Sequence, residues 1–357
     1  MNNIGVETVM IIFVNIKMKE SVAVVILNYN GRKHLETFLP SVVKYSYPHT
    51  VILADNASLD KSVDYVRNTF PSVEIILNHE NGGFAKGYND SLHQIKGNYD
   101  FYLLLNSDVE VTPNWIQPLL KVLENKKNVA CQPKVLSYSD KSKFEHAGAS
   151  GGFIDNDYFP FCRGRLFDNT ETDIGQYDNL EEVTWTSGAA MLIKADLFHE
   201  AGGFDETFFA HMEEIDLCLR LAKRGYKLYC NPESVVYHLG GGTLPYNSSN
   251  KIYLNFRNNL FMLVKNHEGF LWTKLFRRMA LDGFAAFKFF LNGKFSFVWK
   301  IFLAHMALYR NLPPLLKKRI TLKQNHSEYK KYKGSILWAY FAQKNYVFTK
   351  LNKRKLV

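Results

Sequence analysis

From Phe101 to Leu105 five apolar or aromatic residues run without a break and stop at Asn106-Ser107-Asp108. A run of this length, bounded by polar residues, suits a strand buried on both faces. In open α/β sheets ligands bind just beyond the carboxyl ends of such strands. Asp108 therefore stands where a carboxylate can hold a divalent ion and, through it, phosphate oxygens. The plainer alternative is an aspartate that turns the chain before Pro113.

The pattern recurs upstream. Val22 to Leu27 ends in Asn28-Tyr29-Asn30-Gly31, and Val51 to Ala54 ends in Asp55-Asn56-Ala57-Ser58. Leu35, Phe38, Leu39, Val42 and Val43 mark a helix between these runs, and Ser58 is placed to cap another over roughly 59–69. Val73 to Leu77 is a further strand, followed by a glycine-rich turn (81–87) that opens a helix near 86–95. This β-α-β-α-β-α-β order predicts a Rossmann-like α/β fold whose first four strands are parallel and linked by right-handed crossovers. The polar clusters then share one edge. There Asp55 can accept bonds from a base or ribose, and Gly82, Gly83 and Gly87 let backbone amides approach phosphate. The G-x-G-x-x-G of dinucleotide-binding dehydrogenases and the Walker A sequence are both missing.

Residues 129–184 show no clear period and read as strands and loops walling the second half of a cleft. Regular structure resumes at Trp185-Thr186-Ser187-Gly188 and the apolar run after it. A helix is predicted from Glu213 to a C-cap at Arg224-Gly225. Glu213 and Glu214 fall in its first turn, where the helix dipole favours ionised carboxylates, and Asp216 is spaced to pair with Arg220. A short strand, Val235 to Tyr237, ends in His238, ahead of a run of glycines. His238 is either a satisfied histidine beside a turn or a metal ligand on a loop that closes over a diphosphate.

Composition bounds the remaining choices. A chain that is 46% hydrophobic and 22% charged is globular, not disordered. Its four cysteines have no CxxC or metal-type spacing and read as reduced thiols. The apolar stretch Val9 to Val14 is too short to span a bilayer, and it lacks the basic flank and cleavage site of a secretory signal. Residues 1–20 are read as an extension of uncertain order, with Met18 as an alternative start.

Eight segments carry a resemblance. VILNYNG, DNASLDKS, NGGFAKGYN, LLLNSDVEV, TSGAAMLIK, GGFDETFF, EEIDLCLR and VVYHLGG occur in that order between Ser21 and Thr243. Together they make this chain similar to the family-two, GT-A-fold inverting glycosyltransferases, most closely their rhamnosyltransferase-like branch. The resemblance implies a GT-A domain over 21–245 with a mostly parallel sheet. It places Asn28, Tyr29, Asn30, Asp55 and Asn56 on the nucleotide, and Gly83, Phe84 and Ala85 along the diphosphate. Asn106-Ser107-Asp108 takes the D-x-D position, with Asn106 and Ser107 toward the donor and Asp108 on the metal. The first acid is absent there, since an amide adds no charge. His238 would complete the site for Mg²⁺ or Mn²⁺. The resemblance makes Glu214 the general base, with Glu213 and Asp216 as alternatives. Trp185, Gly188 and Arg257 are expected on the acceptor side.

The implied activity is transfer of a sugar, rhamnose among the candidates, from a UDP- or dTDP-type donor to a hydroxyl of a lipid-linked glycan in surface polysaccharide synthesis. Two alternatives carry different expectations. A sugar-1-phosphate nucleotidylyltransferase needs a Gly- and Arg-rich loop where this chain has Asn28-Tyr29-Asn30-Gly31. A catalytically inactive nucleotide-sugar-binding protein is consistent with the departures at Asn106 and Glu214.

Residues 246–357 read as a basic, aromatic-rich helical extension. Residues 1–250 carry 22 Lys/Arg against 31 Asp/Glu, and residues 251–357 carry 22 against 3. Phe276, Ala280, Phe284, Phe287 and Leu291 recur at helical spacing with basic residues between them. That suits a helix lying in the plane of an anionic membrane, or one packed on the catalytic domain. No nucleic-acid module is present, and nucleic acid is not an expected partner. The expected location is the cytoplasm, at the cytoplasmic face of a bacterial inner membrane.

Overall fold

A computed structural model of the chain describes residues 20–145, 148–240, 248–322 and 328–357. The N-terminal stretch and the glycines after Gly240 lie outside the described residues. The first four apolar runs are strands: β1 (Val22–Asn28), β2 (Thr50–Asp55), β3 (Glu74–Leu77) and β4 (Phe101–Asn106). The helices α1 (Arg32–Ser46), α2 (Ser62–Thr69) and α3 (Gly83–Gln94) connect them. All neighbours in the order β3-β2-β1-β4 pair in parallel, as expected from the alternation. Successive residues of β1 point to opposite faces. Val22, Val24 and Ile26 pack in the layer of Leu35, Leu39 and Val42 from α1, and Ala23 and Val25 in that of Tyr88 and Leu92 from α3. Helices on both faces are why the run is unbroken and not alternating.

The second half departs from simple winding. After β5 (Val109–Val111) and α4 (Gln117–Leu123), the expected wall begins with a buried strand of the main sheet, β6 (Asn128–Ser137). Four short strands, β7 (Gly152–Ile154), β8 (Pro160–Cys162), β9 (Arg165–Leu166) and β10 (Asn169–Thr170), form a separate antiparallel sheet. The chain then runs through β11 (Glu181–Val183), β12 (Ala190–Lys194), α5 (Ala195–Glu200), α6 (Glu213–Lys223) and β13 (Lys227–His238). The main sheet has the order β11-β13-β6-β12-β4-β1-β2-β3, with β5 pairing on β13. β12 lies antiparallel between β4 and β6, so the parallel half continues into a mixed one.

Two local expectations are corrected. α2 begins at Ser62 and not after Ser58, because the Ser58 hydroxyl accepts from the Asn28 amide and from the Asn30 N–H. The strand ending at His238 has twelve residues, with a register shift between Asn231 and Val235 that conceals its length in the sequence. All four cysteines are free and buried.

The extension forms α7 (Ser249–Asn266), α8 (Leu271–Leu291) and α9 (Phe295–Leu322) and then returns across the small sheet. Tyr332 bridges to Asp155, and Phe348 packs 5.4 Å from Phe153. Leu260, Leu308, Ile336 and Phe348 share one core with the residues of the first 245. On the α7 side, Lys265 holds both Asp205 (2.6 Å) and Asp216 (2.8 Å), while Lys318 of α9 holds Asp205 (2.7 Å). The extension therefore braces α6, the helix that begins with Glu213.

Candidate active site

Parallel pairing brings the strand ends together: Asn28 lies opposite Asp55, and Leu27 opposite Asn106. Asn28 is fully buried, and its amide nitrogen bonds Asp55 Oδ1 (2.8 Å), Ser58 (3.1 Å) and Ser62 (2.9 Å). Its Oδ1 has no hydrogen-bond partner among the described residues, and a Cβ on Gly31 would sit 2.4 Å from that oxygen. Asn28 thus holds Asp55 in place, and Asp55 Oδ2 in turn accepts from the Ser58 N–H. Tyr29 is exposed, and Asn30, in the left-handed region at φ 51°, accepts from the Leu59 N–H. Asn56 is buried and bonds the Gly83 carbonyl and Asn81. Of this cluster, Tyr29 and Asn30 are exposed.

The glycine turn is used differently from the simple amide cradle. Phe84 and Ala85 donate their N–H groups to the Phe209 carbonyl (2.7 and 3.2 Å), and the Gly83 N–H goes to Asn81. Gly83 has φ +78°, and a Cβ there would meet Phe209 at 2.6 Å. The turn therefore clasps the loop before α6. Phe84 lies across from Gly188, where a Cβ would be 3.2 Å from its ring and 3.8 Å from Glu214.

Asp108 and His238 arrive from β4 and β13 and meet with Oδ1 3.1 Å from Nε2. Glu145 Oε2 stands 3.2 Å from the other ring nitrogen, and the Asn106 amide 3.3 Å from Nε2. All but Asn106 are buried. Burial works to lower the pKa of His238, but Asp108 and Glu145 outweigh it and push it up to about 10. Burial likewise opposes ionisation of Asp108, and the His238 charge reverses this and holds its pKa below the usual range. Two ligands at right angles on one octahedral ion lie about 3 Å apart, so Asp108 and His238 fit a shared divalent cation. Glu145 behind the ring is the carboxylate that such histidine ligands commonly require for orientation. Among the described residues no set of three His, Cys, Asp or Glu groups forms a metal site. An ion taken up by the pair has to displace the histidine proton.

The loop ahead of α6 is strained: Phe209, His211 and Met212 all have positive φ (64°, 71° and 74°). Such backbone persists only where its surroundings over-determine it, and it clusters at functional sites. Here α7 supplies the hold. Asn258 Nδ2 donates to the carbonyls of Phe208, Ala210 and His211 at 2.7–2.9 Å. Arg257 donates to those of Thr207 and Phe208. At the end of this loop His211 Nε2, Glu213 Oε2 and Glu214 Oε2 are buried without a hydrogen-bond partner among the described residues. Burial pushes the Glu214 carboxyl up to about 7 and, with Glu214 beside it, holds Glu213 well above its ordinary value.

Asp216 differs. It is fully buried and bonded to Arg220 (2.9 Å), Lys265 (2.8 Å) and Asn266 (2.8 Å), and its pKa is lowered, the Lys265 and Arg220 charges overcoming burial. It anchors α6 and has no oxygen left to reach a substrate. Trp185 is likewise internal, its indole N–H donating to the Phe153 carbonyl.

Residues 23–180 match the family model described as glycosyl transferase family 2. Over that stretch the chain is similar to glycosyl transferase family 2, and its similarity to a rhamnosyltransferase supports a sugar-transfer role. The transferase is 25% identical over 285 residues to N-acetylglucosaminyl-diphospho-decaprenol L-rhamnosyltransferase of Mycobacterium tuberculosis, covering 76% of this chain and 92% of that one. Two solved structures share its fold, each at 14% identity and 85% coverage of this chain. S. aureus TarS 1-349 in complex with UDP-GlcNAc has a TM-score of 0.52 with 89% of that chain covered. Mannosyltransferase PcManGT from Pyrobaculum calidifontis, in complex with GDP-Man and Mn²⁺, has a TM-score of 0.50 with 80% covered.

Three residues of the transferase site were not legible beforehand. Glu145 lies in the stretch without periodicity, His211 precedes the helix, and Asn258 lies in α7, far along the chain from the loop that it holds. The last is testable. Asn258→Ala removes bonds to three buried or partly buried loop carbonyls and is expected to cost about 1–3 kcal/mol of stability. It should also lower kcat by roughly tenfold, because the loop presents Glu214. A thermal melt combined with single-turnover rates checks this; an unchanged rate would separate the anchor from catalysis.

Proposed function

We propose that this transferase moves a sugar, rhamnose or a related hexose, from a UDP- or dTDP-type donor to a hydroxyl of a lipid-linked glycan, with inversion and dependence on Mg²⁺ or Mn²⁺. The meeting of Asp108 and His238 at 3.1 Å, with Glu145 behind the ring, carries the reading. A divalent ion held by Asp108 and His238 would supply Lewis-acid stabilisation of the departing nucleoside diphosphate. Asp55, held by Asn28, accepts bonds from the base, Tyr29 covers it, and Asn106 and Ser107 lie toward the ribose and sugar.

Glu214, in its ionised form, takes the proton from the acceptor hydroxyl as that oxygen bonds to the anomeric carbon. The bond from that carbon to the diphosphate oxygen breaks on the opposite face, so one displacement inverts the centre. Glu213, whose carboxyl burial and Glu214 hold well above its ordinary value, stands beside Glu214 at the start of α6. Gly188 leaves room for the acceptor against Glu214 and Phe84. Work at the cytoplasmic face of a membrane follows from a lipid-linked acceptor, consistent with the decaprenol-linked substrate in the name of the mycobacterial relative. No described helix is long and apolar enough to cross a membrane, so the contact proposed is peripheral.

Calorimetric titration of UDP and dTDP with and without Mn²⁺, followed by assay of sugar release from the matching nucleotide sugars, tests this. The expected result is nucleotide binding at least tenfold tighter with Mn²⁺, and release of sugar from one donor class. Metal-independent binding would remove the cation from the proposal, and binding without any turnover would leave a nucleotide-sugar-binding protein.

A further inference from the structure

The α8–α9 hairpin is half packed and half bare. α8 buries Leu271, Leu275, Arg278 and Asp282 in its first half, and α9 buries Ile301, Ala304, Leu308 and Leu315. Between 283 and 299 no residue is buried. Phe284 (72% exposed), Phe287 (60%), Leu291 (68%) and Trp299 (57%) stand in solvent, with Phe276 further back on the same stripe. Isolated exposed hydrophobics are ordinary, but a contiguous aromatic face of this kind marks an interaction surface. Its tip is ordered by its own rings: Phe290 packs on Phe295 at 5.4 Å and Phe289 on Phe297 at 5.3 Å.

Charge identifies what the face meets. From 271 to 322 the chain has ten Lys/Arg and a single acid, Asp282, which is buried against Arg278. Lys288, Lys294 and Arg310 are exposed. Bulky aromatics flanked by cations, on helices unable to span a bilayer, are the pattern of segments lying in an anionic membrane interface. Position adds to this. Lys300, next to Trp299, donates to Asn250 Oδ1 (2.8 Å) at the start of α7, the helix whose Asn258 holds the loop before α6. The bare face thus adjoins the helix that braces that loop.

We propose that the exposed face of the α8–α9 hairpin docks on an anionic phospholipid bilayer. Phe284, Phe287, Leu291 and Trp299 enter at the headgroup–acyl boundary, and the mouth of the active site is held at the lipid surface. This deepens the reading of a lipid-linked acceptor, though the docking itself needs no acceptor.

The test is co-flotation of the full chain with vesicles of phosphatidylcholine, alone or with phosphatidylglycerol, at low and high salt. Binding is expected to be at least tenfold tighter to the anionic vesicles and to weaken with salt. The combined variant Phe284→Ser, Phe287→Ser, Trp299→Ser should lose that binding at least tenfold while keeping its melting temperature and its affinity for nucleotide. Equal binding by variant and parent, or no binding to anionic vesicles, overturns the proposal. So does self-association that the variant abolishes without vesicle binding, since a second copy then covers the face. Vesicle binding without transfer to a lipid-linked acceptor would leave the docking surface standing and remove the acceptor assignment instead.

Discussion

Asp108→Asn is expected to lower Mn²⁺-supported transfer by roughly 10³-fold, the equivalent of about 4 kcal/mol of lost transition-state stabilisation. The amide is nearly isosteric and still faces His238, but it brings no charge to a cation. The fold should survive, because His238 can shed its proton and keeps Glu145 at 3.2 Å. Circular dichroism and a thermal melt establish that survival, and nucleotide titration with Mn²⁺ reads the missing ligand directly. A variant that retains full Mn²⁺-dependent turnover would sink the metal assignment.

Glu214→Gln is expected to lower kcat by about 10²–10⁴-fold, the usual contribution of a positioned general base, and to leave donor affinity unchanged. Its pH dependence supplies a second readout. Burial raises the Glu214 carboxyl to about 7, and a base acts only when ionised. The wild-type rate should therefore climb as pH rises through about 7, and the glutamine variant should lose that limb. Glu213→Gln is the control, since burial and its neighbour hold the Glu213 carboxyl well above its ordinary value. If that change proves the more damaging and removes the pH limb, the two glutamates exchange roles.

Much of the first half was readable because its signals are local. Unbroken apolar runs such as Phe101–Leu105 are what a strand covered on both faces requires, and the polar residues that stop them mark one sheet edge. Asp108 and Asp55 were found in this way. The second half resisted for a physical reason. β12 enters antiparallel between β4 and β6, and β13 carries a register shift, so neither pairing follows from periodicity along the chain. The glycine turn likewise looked like an amide cradle, and only the approach of Phe209 shows where the amides of Phe84 and Ala85 go.

By itself, the order of residues determined a wound α/β sheet, a carboxylate at the tip of its fourth strand, an acidic helix start and a basic aromatic tail. Each of these depends on neighbours a few positions apart. Tertiary structure alone decided that Glu145 backs His238, that Lys265 and Asn266 join Arg220 on Asp216, that Asn258 holds the strained loop, and which part of the tail stays bare. Those outcomes depend on groups separated by tens to more than a hundred positions, where burial and pairing are set by what the fold brings into contact and not by local spacing.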